Sequence, residues 1–196
     1  MKTLLMMALW LAGLAARAQD VPPPAAFRPV FTSQTELGVL LGRVIYAQPT
    51  EYTENRASLT LQTFNGVQLT PRLALGGVLG ADWYGGGALL MPLGGGVRYE
   101  LARKAQKGVR VYSGLDAGYS TTWLTSNLNG NRTSGGLFVS PTIGLRMGRP
   151  DRGNFTLSFS YRHQEASVIY ALNSQWLRRT EERVYNRFAM RIGVAF

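Results

Sequence analysis

The sequence lacks cysteine altogether and contains one histidine, His163, in 196 residues. Without cysteine there are no disulfides, no thiolate nucleophiles and no cysteine-based metal sites. A single histidine cannot supply the clustered ligands of a zinc centre. The composition therefore predicts no metal and no cofactor, and the chain has to be held together by its fold alone.

Lysine is nearly absent as well. Arginine accounts for 18 of the 21 basic residues, and the formal charge is +10. A solvated basic surface normally uses lysine freely, whereas the planar guanidinium group of arginine suits paired, partly buried sites. The composition favours arginine–carboxylate pairs inside the protein. A nucleic-acid partner is not expected, because the chain carries an export signal.

That signal is the only long apolar stretch. Lys2 precedes the run "LLMMALWLAGLAA", and "ARA" at 16–18 has the small residues of a cleavage site. These features predict a signal peptide over 1–18. A Pro-rich lead-in is expected over 19–33. Beyond it no run reaches the ~18 apolar residues of a transmembrane helix.

The rest of the chain alternates between apolar and polar or small residues, which is the pattern of β-strands with two different faces. Strands that cross a membrane need about 9–11 residues, whereas average soluble strands have about 5–6. Most of the segments have 10 to 14 residues. Eight segments are predicted, at 35–46, 57–69, 72–84, 88–101, 109–121, 137–147, 155–163 and 184–196.

The connections between these segments also alternate, except the third, "GGG" at 85–87, which is short where a long loop would be allowed. The first, fifth and seventh are the longest, whereas the second, fourth and sixth are short and turn-like. In a membrane barrel with both ends in the periplasm, short turns face the periplasm and long loops face outside. The predicted fold class is therefore all-β, an eight-stranded antiparallel up-and-down transmembrane β-barrel over 34–196. Apolar faces would contact lipid.

The final strand carries a resemblance. "RFAMRIGVAF" places Phe188, Met190, Ile192, Val194 and Phe196 on one face, and it resembles the C-terminal assembly signal of bacterial outer-membrane β-barrel proteins. The segments "FNGVQLTPRLALGGVLGADWY", "MPLGGGVRYEL" and "GLDAGYS" are also similar to small outer-membrane barrels of the eight-stranded OmpA/OmpX or porin-like type. The resemblance implies insertion into the outer membrane by the barrel-assembly machinery. Outer-membrane lipid and lipopolysaccharide would then surround a monomer whose termini lie in the periplasm.

The opposite faces of the strands would line the lumen. An eight-stranded barrel has an interior just wide enough for side chains to fill. We expect arginine–carboxylate pairs there, hydrogen-bonded to Tyr112, Gln62 and Ser160, with inward glycines leaving room for the guanidinium groups. Arg72 is also expected to face inward. The predicted lumen charge network consists of Glu36, Asp82, Arg98, Glu100, Arg110, Asp116, Arg146, Arg162, Arg187 and Arg191.

No catalytic residue is predicted, and the expected role is structural or surface-interacting, carried by the long connections. Three alternatives remain open. A narrow anion-preferring channel would use the excess of inward arginine. A lipid-modifying enzyme at the rim would pair His163 with Ser160 or Ser167, although His163 is expected to be only a rim residue. A soluble lipocalin-like barrel would place the apolar faces inside.

Overall fold

The computed structural model describes residues 27–47, 52–83, 89–104, 108–122, 127–128, 131–148, 153–171 and 178–196. The described residues form strands and short turns, and they include no helix long and apolar enough to cross a membrane. The predicted signal peptide lies outside the described residues. The strands are β1 Val30–Ala47, β2 Tyr52–Gln68, β3 Leu73–Trp83, β4 Leu89–Lys104, β5 Val109–Thr121, β6 Asn127–Leu128, β7 Asn131–Met147, β8 Asn154–Ala171 and β9 Arg178–Ala195.

Eight of these strands form a closed antiparallel barrel, and the two-residue β6 only extends the edge of β7. Each long strand pairs with its neighbours in the chain, β5 pairs with β7, and β1 pairs with β9 to close the sheet. Closure leaves no open edge among the long strands, so their backbone groups are paired within the sheet, as a lipid environment requires. The predicted fold class is confirmed.

The strand register fixes the width of the barrel. Following ladder partners once around the barrel from Val30 leads back to β1 at Leu40, ten residues further along. This stagger tilts the strands by about 40° from the barrel axis. With eight strands at this tilt, the interior accommodates side chains and little else.

We call the end of the barrel that carries Val30 and Phe196 the terminal rim, and the opposite end the far rim. At the terminal rim, the turn after β2 is tight: the Leu69 N–H donates to the Leu73 carbonyl at 2.8 Å. Phe196 is tied to β1, since its N–H donates to the Ser33 carbonyl at 2.8 Å and its carbonyl accepts from the Ser33 N–H at 3.0 Å. The last residue of the chain therefore helps to close the barrel.

The outside of the barrel is apolar. Alternate residues of every long strand expose large hydrophobic side chains, which reverses the arrangement of a soluble protein. The soluble lipocalin-like alternative is therefore wrong. The most exposed of these side chains include Phe31, Leu37, Leu41, Leu59, Leu93, Leu137, Ile143, Phe188, Ile192 and Phe196.

Several strands are longer than the sequence predicted. β1 begins at Val30, so residues 30–33 of the predicted lead-in are part of the strand. β7 begins at Asn131, inside the predicted polar loop, and the β8–β9 ladder continues to Ala171 opposite Arg178. Backbone hydrogen bonds do not depend on apolar alternation, so the ladder continues where the sequence pattern fades. The predicted long loops are correspondingly shorter.

Candidate functional site in the barrel interior

The ten residues of the predicted charge network all lie inside the barrel, and each is buried. Their positions follow from strand alternation, which turns every second residue inward. Six arginines and four carboxylates are brought together in this way, without support from a helix or a loop. Arg72 is exposed in the turn between β2 and β3, and it also lines the small cavity at the terminal end of the lumen together with Arg98 and Arg146.

The first cluster surrounds Asp116 on β5. The Asp116 carboxylate accepts hydrogen bonds from Arg98 Nη1 at 2.5 Å and from Arg98 Nη2 at 3.1 Å, a bidentate pair. Gln62 Nε2, from the other side of the lumen, donates to Asp116 Oδ2 at 2.7 Å. The Arg98 guanidinium also lies over the Phe64 ring, 4.6 Å from its centre. The geometry matches the strong fork-to-fork form of an arginine–carboxylate contact.

The second cluster surrounds Asp82 on β3. Asp82 forms an ion pair with Arg162 of β8 and accepts a hydrogen bond from Thr60 Oγ1 at 2.6 Å. Arg162 Nη2 donates to Gln62 Oε1 at 2.5 Å, so Gln62 links this cluster to the first. The Arg162 guanidinium lies 5.6 Å from the centre of the Phe138 ring. Partners come from opposite sides of the barrel and fill its middle.

The third cluster surrounds Glu36 on β1, nearer the terminal rim. Glu36 Oε1 accepts from Gln34 Nε2 at 2.8 Å, and Oε2 accepts from Ser158 Oγ at 2.9 Å. Arg191 Nε lies 3.6 Å from Glu36 Oε2, while its Nη2 donates to Ser160 Oγ at 2.8 Å. Arg191 also donates to Gln62, which joins this cluster to the other two.

The fourth cluster closes the terminal end of the lumen. Glu100 accepts from Arg110 Nη1 at 3.1 Å, and Arg110 Nη2 donates to Asn154 Oδ1 at 2.7 Å. Arg146 lies 3.9 Å from Glu100 and stacks over the Tyr112 ring at 4.9 Å. The cavity among these side chains measures about 10 Å³, roughly the space of one water molecule.

Towards the far rim the interior becomes less charged. Arg187 Nη1 donates to Ser58 Oγ at 2.6 Å, and its guanidinium lies 5.1 Å from the centre of the Tyr185 ring. Ser120 Oγ donates to Gln164 Oε1 at 2.5 Å. These side chains occupy the described part of the lumen on the far-rim side of the four charge clusters.

Apolar side chains inside the barrel were not predicted from the sequence. Phe64, Phe138, Leu40, Leu90 and Val78 are all buried there, among the arginines. The same alternation that places Gln62 inward also places Phe64 inward. The parity of each strand was therefore a signal that could have identified them.

The Ser–His arrangement that the sequence left open is not assembled. His163 faces outward, where its Nδ1 lies 2.7 Å from Asn186 Oδ1. Ser160 faces inward and is bonded to Arg191, so the barrel wall separates it from His163. Ser167 lies four residues further along β8, roughly 13 Å away in an extended strand. Within the described residues, no group of three or more His, Cys, Asp and Glu side chains could hold a metal ion.

No protein-family model and no curated protein sequence matches the chain. Solved structures match its backbone. The outer membrane protein OprG from Pseudomonas aeruginosa aligns with a TM-score of 0.55 and 10% identity, over 84% of this chain and 93% of OprG. For Neisserial surface protein A the TM-score is 0.55 and the identity 10%, over 86% of this chain and 98% of that protein. The outer membrane protein AlkL, studied in lipid bilayers, aligns with a TM-score of 0.54 and 13% identity, over 91% and 95%.

The fold is that of the eight-stranded outer-membrane β-barrels. The resemblance inferred from the final strand and the glycine-rich segments is therefore confirmed for the architecture. At sequence identities of 10–13%, these likenesses show the backbone fold and not the chemistry of the lumen. What this barrel does has to be inferred from its own interior and its own outer surface.

Proposed function

We propose that the protein is an integral protein of the bacterial outer membrane with a structural or surface-interaction role and a lumen filled by side chains. The support for membrane insertion is the exposed apolar band around a closed sheet. The proposed orientation places the terminal rim in the periplasm and the far rim at the cell surface. The support for this orientation is the sequence, in which the longer connections between predicted strands fall at the far rim.

The observation that carries the non-channel role is the linked set of charge clusters across the lumen. Gln62 of β2 contacts Asp116 of β5, Arg162 of β8 and Arg191 of β9, so side chains from four strands meet at this residue. An ion passing through would have to displace bonded, buried charges, and the uncompensated charges left behind would be costly. We expect no steady conductance.

The test is single-channel recording in planar bilayers, with a known open porin as positive control. The wild-type barrel is expected to give a quiet baseline at voltages where the porin opens. Insertion is verified in the same preparation by the heat-dependent gel shift that closed barrels show. Stable current steps from the inserted barrel would contradict the proposal.

The narrow anion-preferring channel is the second candidate, because the described lumen holds six arginines against four carboxylates. If current steps occur, a salt gradient distinguishes the possibilities. A reversal potential displaced towards that of the anion would support this second candidate. A reversal potential displaced towards that of the cation would contradict both the filled lumen and the anion-preferring channel.

We also propose that β9 is recognised by the barrel-assembly machinery through Phe188, Met190, Ile192, Val194 and Phe196. All five point outward, and Phe196 is 70% exposed at the terminal rim. Deleting Phe196 should lower the amount of folded barrel in the outer membrane. Phe155→Ala, which removes a nearby exposed ring from β8, is the matched control. Equal assembly of the deletion variant and the wild type would refute the proposal.

A further inference from the structure

The outer surface contains a polar region within its apolar band. Ser33 lies opposite Asn65, and Thr35 lies opposite Thr63, on the paired strands β1 and β2. We call these four side chains the outer polar patch. The patch is bounded towards the terminal rim by the pair Phe31–Val67 and towards the far rim by the pair Leu37–Leu61, all four of them exposed. The patch therefore lies among side chains that face lipid.

The patch does not satisfy its own hydrogen-bonding capacity. Ser33 Oγ donates to Asn65 Oδ1 at 2.8 Å, Asn65 Nδ2 donates to Thr63 Oγ1 at 3.1 Å, and Thr35 and Thr63 share one bond at 3.1 Å. Three hydroxyls and one amide carry five donor hydrogens, and these bonds use three. Within the described residues, one Asn65 N–H and one threonine O–H remain without an acceptor. In hydrocarbon such groups are strongly disfavoured.

A row of small outward residues, which we call the groove, extends from the patch across the barrel wall. Ser33, Asn65, Gly77, Gly95 and Ala117 are successive ladder partners from β1 to β5. A Cβ atom added at Gly77 or Gly95 would meet no heavy atom closer than 3.9 Å or 4.0 Å, respectively. The two glycines thus leave open space on the outer surface. Small residues at such positions let a second backbone approach closely within a membrane.

We propose that the outer polar patch and this groove form the interface of a symmetric dimer of this protein. The inference rests on the proposed insertion into the outer membrane. Lipid tails have no groups that could accept the unused hydrogens, and the exposed Phe31–Val67 pair separates the patch from the terminal rim. A second protein surface at the same depth provides acceptors. The proposed dimer is an alternative to the monomer expected from the sequence.

A second copy fits because the patch is self-complementary. The Asn65 amide has an unused donor together with acceptor lone pairs on its oxygen, so two such amides can bond reciprocally. Both copies insert with the same orientation, so a two-fold axis along the membrane normal brings Asn65 against its own counterpart. With such an axis, a contact of one residue with a different residue of the second copy occurs twice, once in each direction. The grooves then cross at the axis, where the glycines permit close approach.

The first experiment uses the absence of cysteine, which makes any introduced thiol unique. Val67→Cys borders the patch and leaves its four side chains and the glycines of the groove unchanged, and Ile143→Cys on the opposite wall is the matched control. Both variants are reconstituted at high lipid dilution and treated with a short thiol-specific crosslinker. We expect a covalent dimer for Val67→Cys and little for Ile143→Cys. Equal, low crosslinking of two folded barrels would overturn the dimer.

The second experiment removes the Asn65 amide in the Val67→Cys background. Asn65→Leu should reduce the crosslinked fraction about tenfold, because a polar contact within the membrane is lost twice, whereas Asn65→Gln should retain most of it. An unchanged fraction in Asn65→Leu would contradict the proposal. In whole outer membranes, an adduct with another protein in place of the dimer would also contradict it. Loss of the heat-dependent gel shift in both cysteine variants would overturn membrane insertion, and the dimer with it.

Discussion

The barrel has two polar regions that use similar residues in opposite ways. In the interior, Asp116 is 0% exposed and accepts bonds from Arg98 and Gln62. On the outside, Asn65 is exposed and one of its amide hydrogens has no acceptor among the described residues. Each interior carboxylate accepts bonds from several donors, although interior donors such as Arg98 Nε and the Ser140 hydroxyl have no acceptor among the described residues. The Asn65 amide differs because its unused donor lies on the outer surface, where a partner can reach it. The two regions differ in the curvature of the surface that carries them.

Curvature determines how many partners a side chain can reach. Inside the barrel, side chains converge from strands far apart in the sheet: Arg162 of β8 meets Asp82 of β3, and Gln34 of β1 donates to Tyr112 of β5 at 2.7 Å. Outside, side chains diverge, so the bonds of the outer polar patch join only the adjacent strands β1 and β2. The interior can therefore link charge clusters from strands on opposite sides of the barrel, which the convex outer surface cannot do.

The largest expected effect comes from removing a fully bonded interior carboxylate. Asp116→Ala deprives Arg98 of its bidentate partner and Gln62 of an acceptor. Breaking a buried pair on one side typically costs about 3–5 kcal/mol, because the remaining charge is uncompensated. Urea unfolding in lipid vesicles should show a loss of this size.

A double variant separates pairing from packing at the same site. Arg98→Met combined with Asp116→Leu removes both charges and keeps the volume filled. Apolar replacement of a buried pair is often neutral or even stabilising. The double variant should therefore be more stable than Asp116→Ala. A double variant as unstable as the single one would mean that shape, and not charge compensation, governs this cluster.

The next effect compares two neighbouring glycines on opposite faces of β3. A Cβ added at Gly76 would collide with the backbone of Asn65 and Gly66, whereas one added at Gly77 finds open space. Gly76→Ala should lose about 1–3 kcal/mol, the usual cost of overpacking. Gly77→Ala should stay within about 0.5 kcal/mol of the wild type. Equal losses in the same urea titration would show that the two faces are not packed differently.

Strand alternation in the sequence was enough to place these two faces. The pattern from Phe188 to Phe196 indicated which side chains point outward, and the same parity placed all ten charged residues inward. Alternation did not predict the ends of the strands, because the ladder between β8 and β9 continues through polar residues beyond the apolar band.

Which charges pair across the lumen could not be predicted from the sequence. The partners of Asp82 and Asp116 depend on the ten-residue stagger and on closure between β1 and β9, and neither is encoded locally. The outer polar patch was missed for another reason. Thr63 and Asn65 interrupt an apolar face inside a predicted strand, and Ser33 was assigned to the lead-in. A polar residue at an outward position was the available signal.

A smaller difference in stability is expected between alanine variants of two serines. Ser158 donates to Glu36 at 2.9 Å inside the barrel, and Ser33 donates to Asn65 at 2.8 Å outside. Ser158→Ala should lose about 1.5–3 kcal/mol, since the bond is made to a charged acceptor. Ser33→Ala should cost about 0.5 kcal/mol or less, since both partners are neutral and half-exposed or exposed. A larger loss of stability in Ser33→Ala than in Ser158→Ala, measured by thermal gel-shift assays, would contradict the distinction between the two regions.

The smallest effect should have the opposite sign. Asn65→Leu removes an amide that faces lipid in the isolated barrel, so it should stabilise that state by about 1 kcal/mol, the low end of the cost of leaving an amide without its bond. The measurement is urea unfolding at a lipid dilution where no dimer can be crosslinked. Val67→Leu, at the neighbouring outward position, controls for added apolar volume. A loss of stability in Asn65→Leu would mean that the patch supports the barrel itself, as the interior clusters do, and the proposed division between the two polar regions would fail. A gain, together with weaker dimerisation, would mean that this chain keeps a polar group facing lipid at a cost to the single barrel, which is what an interface with a second copy requires.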